Sequence, residues 1–94
     1  MGCMPYHIPQ DEQRFQNIIA AANAAKPAFS VHCGDNKSGD KPCADEAYPR
    51  ILGWFEQFQH PLVYVPGDNE WTDCHTAAAG GFDPLERLQK VRSV

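Results

Sequence analysis

The sequence has few basic residues and no long hydrophobic run. Its 94 residues include 8 Lys and Arg against 12 Asp and Glu, giving a net charge of −4. Because no Lys/Arg cluster occurs, we expect binding neither to nucleic acid nor to anionic membranes. No apolar stretch approaches the length of a membrane span, and no basic segment followed by an apolar core opens the chain. By default we therefore expect a cytoplasmic protein.

The sequence also lacks the cysteine and histidine spacings of a zinc module. It has four cysteines and four histidines but no CxxC or HxxxH pair, so no dedicated zinc site is predicted. Cys33 falls in a predicted apolar strand, where we expect a buried free thiol. Cys43 and Cys74 both lie in loops that follow strands. They are candidates for a disulfide in an oxidising compartment and otherwise stay reduced.

The order of apolar and polar residues predicts one small α/β domain over residues 1–94. Helical periodicity and extended apolar runs place the elements as follows: a short first strand stopped by Pro5, a helix at Gln10–Lys26, a strand at Ala28–Cys33, a helix at Asp45–Gln59, a strand at Leu62–Val65 and a helix from Asp83 onward. This βαβαβα order predicts a short parallel sheet of about three strands with about three helices. Since the strands read as nearly continuous apolar runs, we expect a three-layer-like arrangement with both sheet faces covered.

Two of the predicted helices carry proline near their start. Pro49 is tolerable only in the first turn of the second helix, where amide hydrogens lack partners within the helix. For the third helix we expect Asp83 at the N-cap, Pro84 in the first position and Glu86 as the capping-box partner.

Two apolar runs each end in Gly-Asp, at Gly34-Asp35 and Gly67-Asp68. The aspartates are 33 positions apart, about the length of one βαβ unit. Such a unit brings both strand ends to the same sheet edge, and a glycine there allows the tight turn that directs a carboxylate. Carboxylate oxygens bind divalent cations, so Asp35 and Asp68 are predicted metal ligands.

The motifs Gly34-Asp35 and Gly67-Asp68-Asn69-Glu70 resemble the second and third motifs of the calcineurin-like metallophosphoesterase superfamily. The run Gly-Asp-Asn-Glu-Trp-Thr-Asp-Cys-His, followed by Gly-Gly-Phe-Asp-Pro-Leu-Glu-Arg-Leu, is similar to one bacterial branch of it. The resemblance covers nearly the whole chain but only the N-terminal third or so of a typical family member, so we expect a truncated domain. Some members of this family are exported.

The resemblance implies a role for each matched residue. Asp35 would bridge two divalent metals (Mn, Fe or Zn), and Asp68 would be a ligand to one of them. Asn69 stands at the position of the family's histidine proton donor, and Glu70 would orient the loop from behind the ligands. In such enzymes the metal pair binds a small phosphoester substrate and activates a hydroxide for in-line attack.

The chain departs from the family pattern at several positions. Cys3 stands where the first motif carries its aspartate, and Pro5 stands where it carries a histidine. Asn69 donates a hydrogen bond but cannot act as a general acid near neutral pH. The later histidine motifs have no counterpart in these 94 residues. Cys3 and His75 are further candidate ligands.

Two functions remain open at the level of the sequence. The first is a metal-dependent phosphoester hydrolase that uses Asp35 and Asp68 and is impaired as a single chain. The second is a catalytically inactive relic that acts as a small oligomeric binding or assembly module. The stunted first strand favours association, because a short sheet with open edges exposes its core. We therefore expect a homo-oligomer.

Overall fold

The computed structural model describes residues 1–94 and contains three α-helices and a two-stranded parallel sheet. The elements are α1 (Glu12–Ala25), β1 (Ser30–His32), α2 (Ala47–Phe55), β2 (Leu62–Tyr64) and α3 (Pro84–Ser93), with short 3₁₀ segments at Asp68–Glu70 and Thr72–His75 between β2 and α3. The prediction of a small α/β domain with three helices and a parallel sheet is confirmed. No helix combines the length and the hydrophobicity needed to cross a membrane.

The sheet contains two strands and not the three expected from the sequence. β1 and β2 run parallel, with Val31 opposite Val63. The N-terminal residues follow the free edge of β1, where Cys33 N–H donates to the Met1 carbonyl and Cys3 N–H donates to the Gly34 carbonyl (2.7 and 2.9 Å). No strand forms there, and Pro5 has no backbone N–H with which to extend the pairing. The order of elements therefore begins with a helix.

The hydrophobic core lies on one face of this sheet. Its centre consists of five buried side chains from α1, α2 and the turn after α2, namely Phe15, Ile19, Ile51, Trp54 and Phe58. His32 of β1 is completely buried beneath them, with its ring centroid 6.0 Å from that of Phe15 and 5.0 Å from that of Phe55. Both of the first two helices thus cover the same sheet face.

The opposite face of the sheet is open, so the expectation of helices on both faces is wrong. Val31 and Val63, which are partners in the ladder, are 37% and 50% exposed, and Phe29 and Val65 are 59% and 52% exposed. The free Cys33 is exposed as well, contrary to the prediction of a buried thiol. The cause is the placement of α3, which packs against the two 3₁₀ segments and not against this face. The molecule accordingly has two layers.

The third helix begins as the sequence predicts but uses its first glutamate differently. The Asp83 side chain accepts a hydrogen bond from Leu85 N–H (2.9 Å), and Pro84 occupies the first turn. Glu86 is not a capping-box partner, because its carboxylate binds the Arg87 guanidinium. Arg87 is buried and also donates to the Cys43 carbonyl (2.9 Å). It therefore connects α3 to the loop that follows β1.

Candidate functional site

The two Gly-Asp turns meet at the carboxyl end of the sheet in direct backbone contact. A Cβ atom on Gly34 would lie 1.9 Å from the Gly67 nitrogen, and one on Gly67 would lie 2.2 Å from Oδ1 of Asp35. Gly34 has φ +80°, and Asp35 follows at φ +58°, so the chain after β1 turns through two left-handed residues. Because no side chain fits between the turns, glycine at both positions is what allows this approach.

Asp35 lies at the centre of the contacts at this edge. Its Oδ1 accepts a hydrogen bond from Asn69 N–H at 3.3 Å, and its Oδ2 lies 3.5 Å from the Cys3 thiol. These contacts bring the first, second and third motif positions of the sequence to one place. The Cys3 side chain is exposed; local desolvation and the Asp35 carboxylate raise the pKa of its thiol.

Asp68 is an exposed residue beside Asp35. Its pKa is raised by desolvation and by the negative charges of Asp35 and Asp73. Two like charges at one edge raise each other's energy, and a bound cation would relieve that repulsion. The carboxylates of Asp35 and Asp68 therefore create a negative electrostatic potential that favours a bound cation.

Asn69 is buried, and both its backbone N–H and its side-chain amide donate hydrogen bonds. Its side-chain amide donates to the Tyr6 hydroxyl at 3.3 Å. Its carbonyl oxygen lies 3.6 Å and 3.7 Å from the sulfurs of Cys43 and Cys74. Asn69 thus positions the loop after β2, while its amide is unable to supply a proton to a leaving group near neutral pH.

Glu70 is completely buried behind the two turns. Its Oε1 accepts a hydrogen bond from Asn36 N–H (2.6 Å), and its own carbonyl accepts one from the Tyr48 hydroxyl (2.9 Å). Burial raises the pKa of this carboxyl group, while the backbone N–H donors oppose that rise. Its Oε2 has no hydrogen-bond partner. Glu70 holds the loop after β1 against the loop after β2.

A second support of the first turn is the buried ring of His32, which no sequence motif marks. Its Nδ1 accepts a hydrogen bond from Gly34 N–H at 3.0 Å, so the proton resides on Nε2, which donates to the Met4 carbonyl at 2.8 Å. The Asn36 side-chain amide donates to the same carbonyl (3.1 Å). Burial lowers the pKa of His32. The only sequence signal was a histidine two residues before Gly34 at a strand end.

Of the remaining candidate residues, two cysteines form a disulfide and one histidine lies away from the two aspartates. Cys43 and Cys74 form a disulfide, with their Cα atoms 5.8 Å apart. His75 is exposed, and its Nδ1 contacts the Thr72 carbonyl at 2.8 Å within its own 3₁₀ segment. The structure records no hydrogen bond between His75 and either aspartate. The disulfide therefore lies behind the edge, and His75 is not brought to it.

The donors at the edge fit one divalent cation in part and do not fit a metal pair. Asp35 and Asp68 offer carboxylates and Cys3 offers a thiol, whereas no group of three or more His, Cys, Asp or Glu side chains is arranged to hold a metal ion. A catalytic two-metal centre needs more ligands than two carboxylates and a thiol. No hydrolytic step through two metals follows from these residues.

Comparison of the chain with protein-family models, with curated proteins and with solved structures finds no match.

Proposed function

We propose that this chain is a metallophosphoesterase-like protein whose Asp35 and Asp68 bind one divalent cation. On this proposal it is at most a metal-dependent phosphoester hydrolase, impaired as a single chain. Mn²⁺, Fe²⁺ and Zn²⁺ are the cations that the donor set and the motif resemblance favour. The substrate class is a small phosphoester.

The observation that carries the proposal is the backbone contact between the two Gly-Asp turns. Two glycines without room for a Cβ atom hold two carboxylates at one sheet edge, and Glu70 and His32 hold the turns from behind. This arrangement keeps two like charges together at a cost in electrostatic free energy, which a bound cation would offset. The missing further ligands are the reason for expecting weak or no turnover by one copy.

Metal binding tests this proposal separately from catalysis. We expect the purified chain to bind about one equivalent of Mn²⁺ or Zn²⁺ in calorimetric titration, and Asp35→Asn and Asp68→Asn each to weaken binding about tenfold or more. Asp83→Asn is the matched control, because it removes a carboxylate while keeping an N-cap residue. Hydrolysis of an aryl phosphate by the metal-loaded chain tests the enzymatic part.

Two results would contradict the proposal. Absence of metal uptake, or uptake that both aspartate variants leave unchanged, would exclude a cation site at this edge. Metal uptake without hydrolysis at any protein concentration would exclude the hydrolase function while leaving the cation site intact.

The open sheet face favours a second function, that of a small self-associating module. Phe29, Val31, Val63 and Val65 carry no charge and are 37–59% exposed on the face opposite α1 and α2. A second copy packed on this face would provide the third layer that one copy lacks, and pairing of sheet edges would provide further strands. Light scattering after size-exclusion chromatography tests this function, since a monomer at every concentration would exclude it.

A further inference from the structure

A cavity of about 460 Å³ lies beside α2, and one of the residues that line it is Tyr6, whose hydroxyl accepts a hydrogen bond from Asn69. The residues that line it include the apolar side chains of Tyr6, Trp54 and Ile51 and three cations, Lys37, Lys41 and Arg50. This volume is in the range that binds small molecules, and a lining that combines apolar and polar residues is typical of such sites. None of the aspartates at the sheet edge lines it.

The charge of the cavity is opposite to that of the chain. Lys37, Lys41 and Arg50 face it with a single carboxylate, that of Glu46, whereas the chain as a whole carries −4. None of these three cations forms an ion pair, since the ion pairs of the structure involve Arg14 and Arg87. Three cations thus line one concave site without forming an ion pair to a carboxylate.

Lys37 is the least solvated of these cations. Its side chain is 7% exposed, and its ammonium donates to the carbonyls of Ser38 and Lys41 (3.2 and 3.0 Å). An ammonium has three N–H donors, so one remains without a protein acceptor. A buried charge of this kind is stabilised by an anion that accepts the third hydrogen bond.

The N-terminal end of α2 adds to the positive electrostatic potential of the cavity. Ala47, Arg50, Ile51 and Trp54 recur at helical spacing along one side of the cavity, and the side chain of the N-cap residue, Glu46, makes no capping hydrogen bond. The N-terminal end of a helix carries partial positive charge, which favours an anion close to it. The aromatic and aliphatic side chains farther along α2 favour an apolar body on the ligand.

We propose that this cavity binds a phosphate monoester with an aromatic or aliphatic body, its phosphate between Lys37, Lys41 and Arg50 and its body against Trp54 and Ile51. A dianionic phosphate matches the excess of two positive charges that three cations and one carboxylate leave at the cavity. The inference goes beyond the proposed hydrolysis, and it stands whether or not Asp35 and Asp68 bind a metal ion.

The test is titration of phenyl phosphate onto the full chain in the presence of EDTA, followed by calorimetry and, in a Trp71→Phe background, by the fluorescence of Trp54. We expect saturable binding at one site with a dissociation constant of about 1 mM or tighter. Lys41→Gln and Arg50→Gln should each weaken it about 3- to 10-fold, and Glu46→Gln should tighten it. Lys90→Gln and Arg92→Gln, which remove exposed or half-exposed cations of α3 outside the cavity, should leave it unchanged.

Other compounds separate the phosphate from the body of the ligand. Inorganic phosphate should compete with phenyl phosphate but bind more weakly, and benzoate and phenol should bind more weakly still. Absence of saturable binding would overturn the proposal, as would equal weakening by the α3 variants, which would indicate diffuse electrostatics. Phenol or benzoate binding as tightly as phenyl phosphate would overturn the assignment of a dianionic phosphate. Because EDTA removes divalent metal ions, none of these results depends on whether Asp35 and Asp68 bind a metal ion.

Discussion

The glycines of the two Gly-Asp turns differ from Gly53 and Gly81 in what a side chain would meet. Gly34 combines φ +80° with a backbone neighbour 1.9 Å from the position of its missing Cβ atom. Gly81 has φ +68° but open space around it, and Gly53 lies in α2 with neither restriction. These three positions separate the energetic cost of a left-handed backbone from that of a steric collision.

We predict that Gly34→Ala lowers the free energy of unfolding by about 2–5 kcal/mol, because left-handed strain and collision with Gly67 add. Gly81→Ala should cost only about 1–2 kcal/mol from the backbone strain. Gly53→Ala should raise stability by about 0.5–1 kcal/mol, since alanine is the better helix former. Urea denaturation followed by circular dichroism measures all three. A Gly34→Ala variant no less stable than Gly81→Ala would contradict the contact between the turns.

The sequence identified the residues at this edge more readily than the interactions that hold them. Asp35 and Asp68 were predictable because the period of a βαβ unit sends two strand ends to one edge. His32 and Lys37 were not, because a buried histidine or lysine depends on partners that lie in other segments. Met4 meets the His32 ring from 28 positions away, and no local pattern encodes that contact.

At the scale of elements, one disulfide connects the loop after β1 to the segment that precedes α3. The Cys43–Cys74 disulfide joins the loop after β1 to the second 3₁₀ segment, and both sulfurs contact the Asn69 carbonyl. Arg87 of α3 donates to the Cys43 carbonyl, and its guanidinium carbon lies 4.6 Å from the centre of the Phe82 ring. α3 is therefore connected to the rest of the chain largely through this cross-linked region.

We predict that reduction of the disulfide destabilises the protein by roughly 3–4 kcal/mol, because the cross-link spans 31 positions and restricts the unfolded chain accordingly. The midpoint of thermal unfolding should fall by about 12 °C or more on addition of reductant. The Cys43→Ser/Cys74→Ser double variant should show the lower midpoint with no response to reductant.

The two exposed free thiols provide the control for this measurement. A Cys3→Ser/Cys33→Ser double variant removes two cysteines without touching the cross-link, so it should retain the wild-type response to reductant. Loss of that response in the control, or its persistence in the Cys43→Ser/Cys74→Ser variant, would place the redox-sensitive bond elsewhere.

Three helices and two strands followed from the sequence, whereas the predicted first strand does not form and the lengths and packing of the elements were not predictable. The helix predicted at Asp45–Gln59 spans Ala47–Phe55, and the predicted long loop after β2 contains two 3₁₀ segments. Periodicity marks an apolar face but not the residue where hydrogen bonding ends. Likewise, a continuous apolar strand indicates two covered faces only if elements suffice to cover both, and here α3 packs elsewhere.

At the scale of the whole molecule, the open sheet face sets the expected strength of self-association. The exposed parts of Phe29, Val31, Val63 and Val65 amount to roughly 300–400 Å², about half of what one partner contributes to a standard interface. A face of this size supports a weak, concentration-dependent dimer and not an obligate one. A two-fold pairing is the expected geometry, because the same patch is then covered on both copies.

We predict that the chain forms a dimer with a dissociation constant of about 10 μM to 1 mM and that Val63→Lys abolishes it. A lysine at the centre of the face would leave a desolvated charge without a partner in the dimer, whereas in the monomer it is solvated. Leu85→Lys is the matched control, since Leu85 is 66% exposed on α3, away from the sheet. Sedimentation equilibrium over a range of concentrations measures both. If the dimer persists in Val63→Lys and disappears in Leu85→Lys, α3 and not the sheet is the interface.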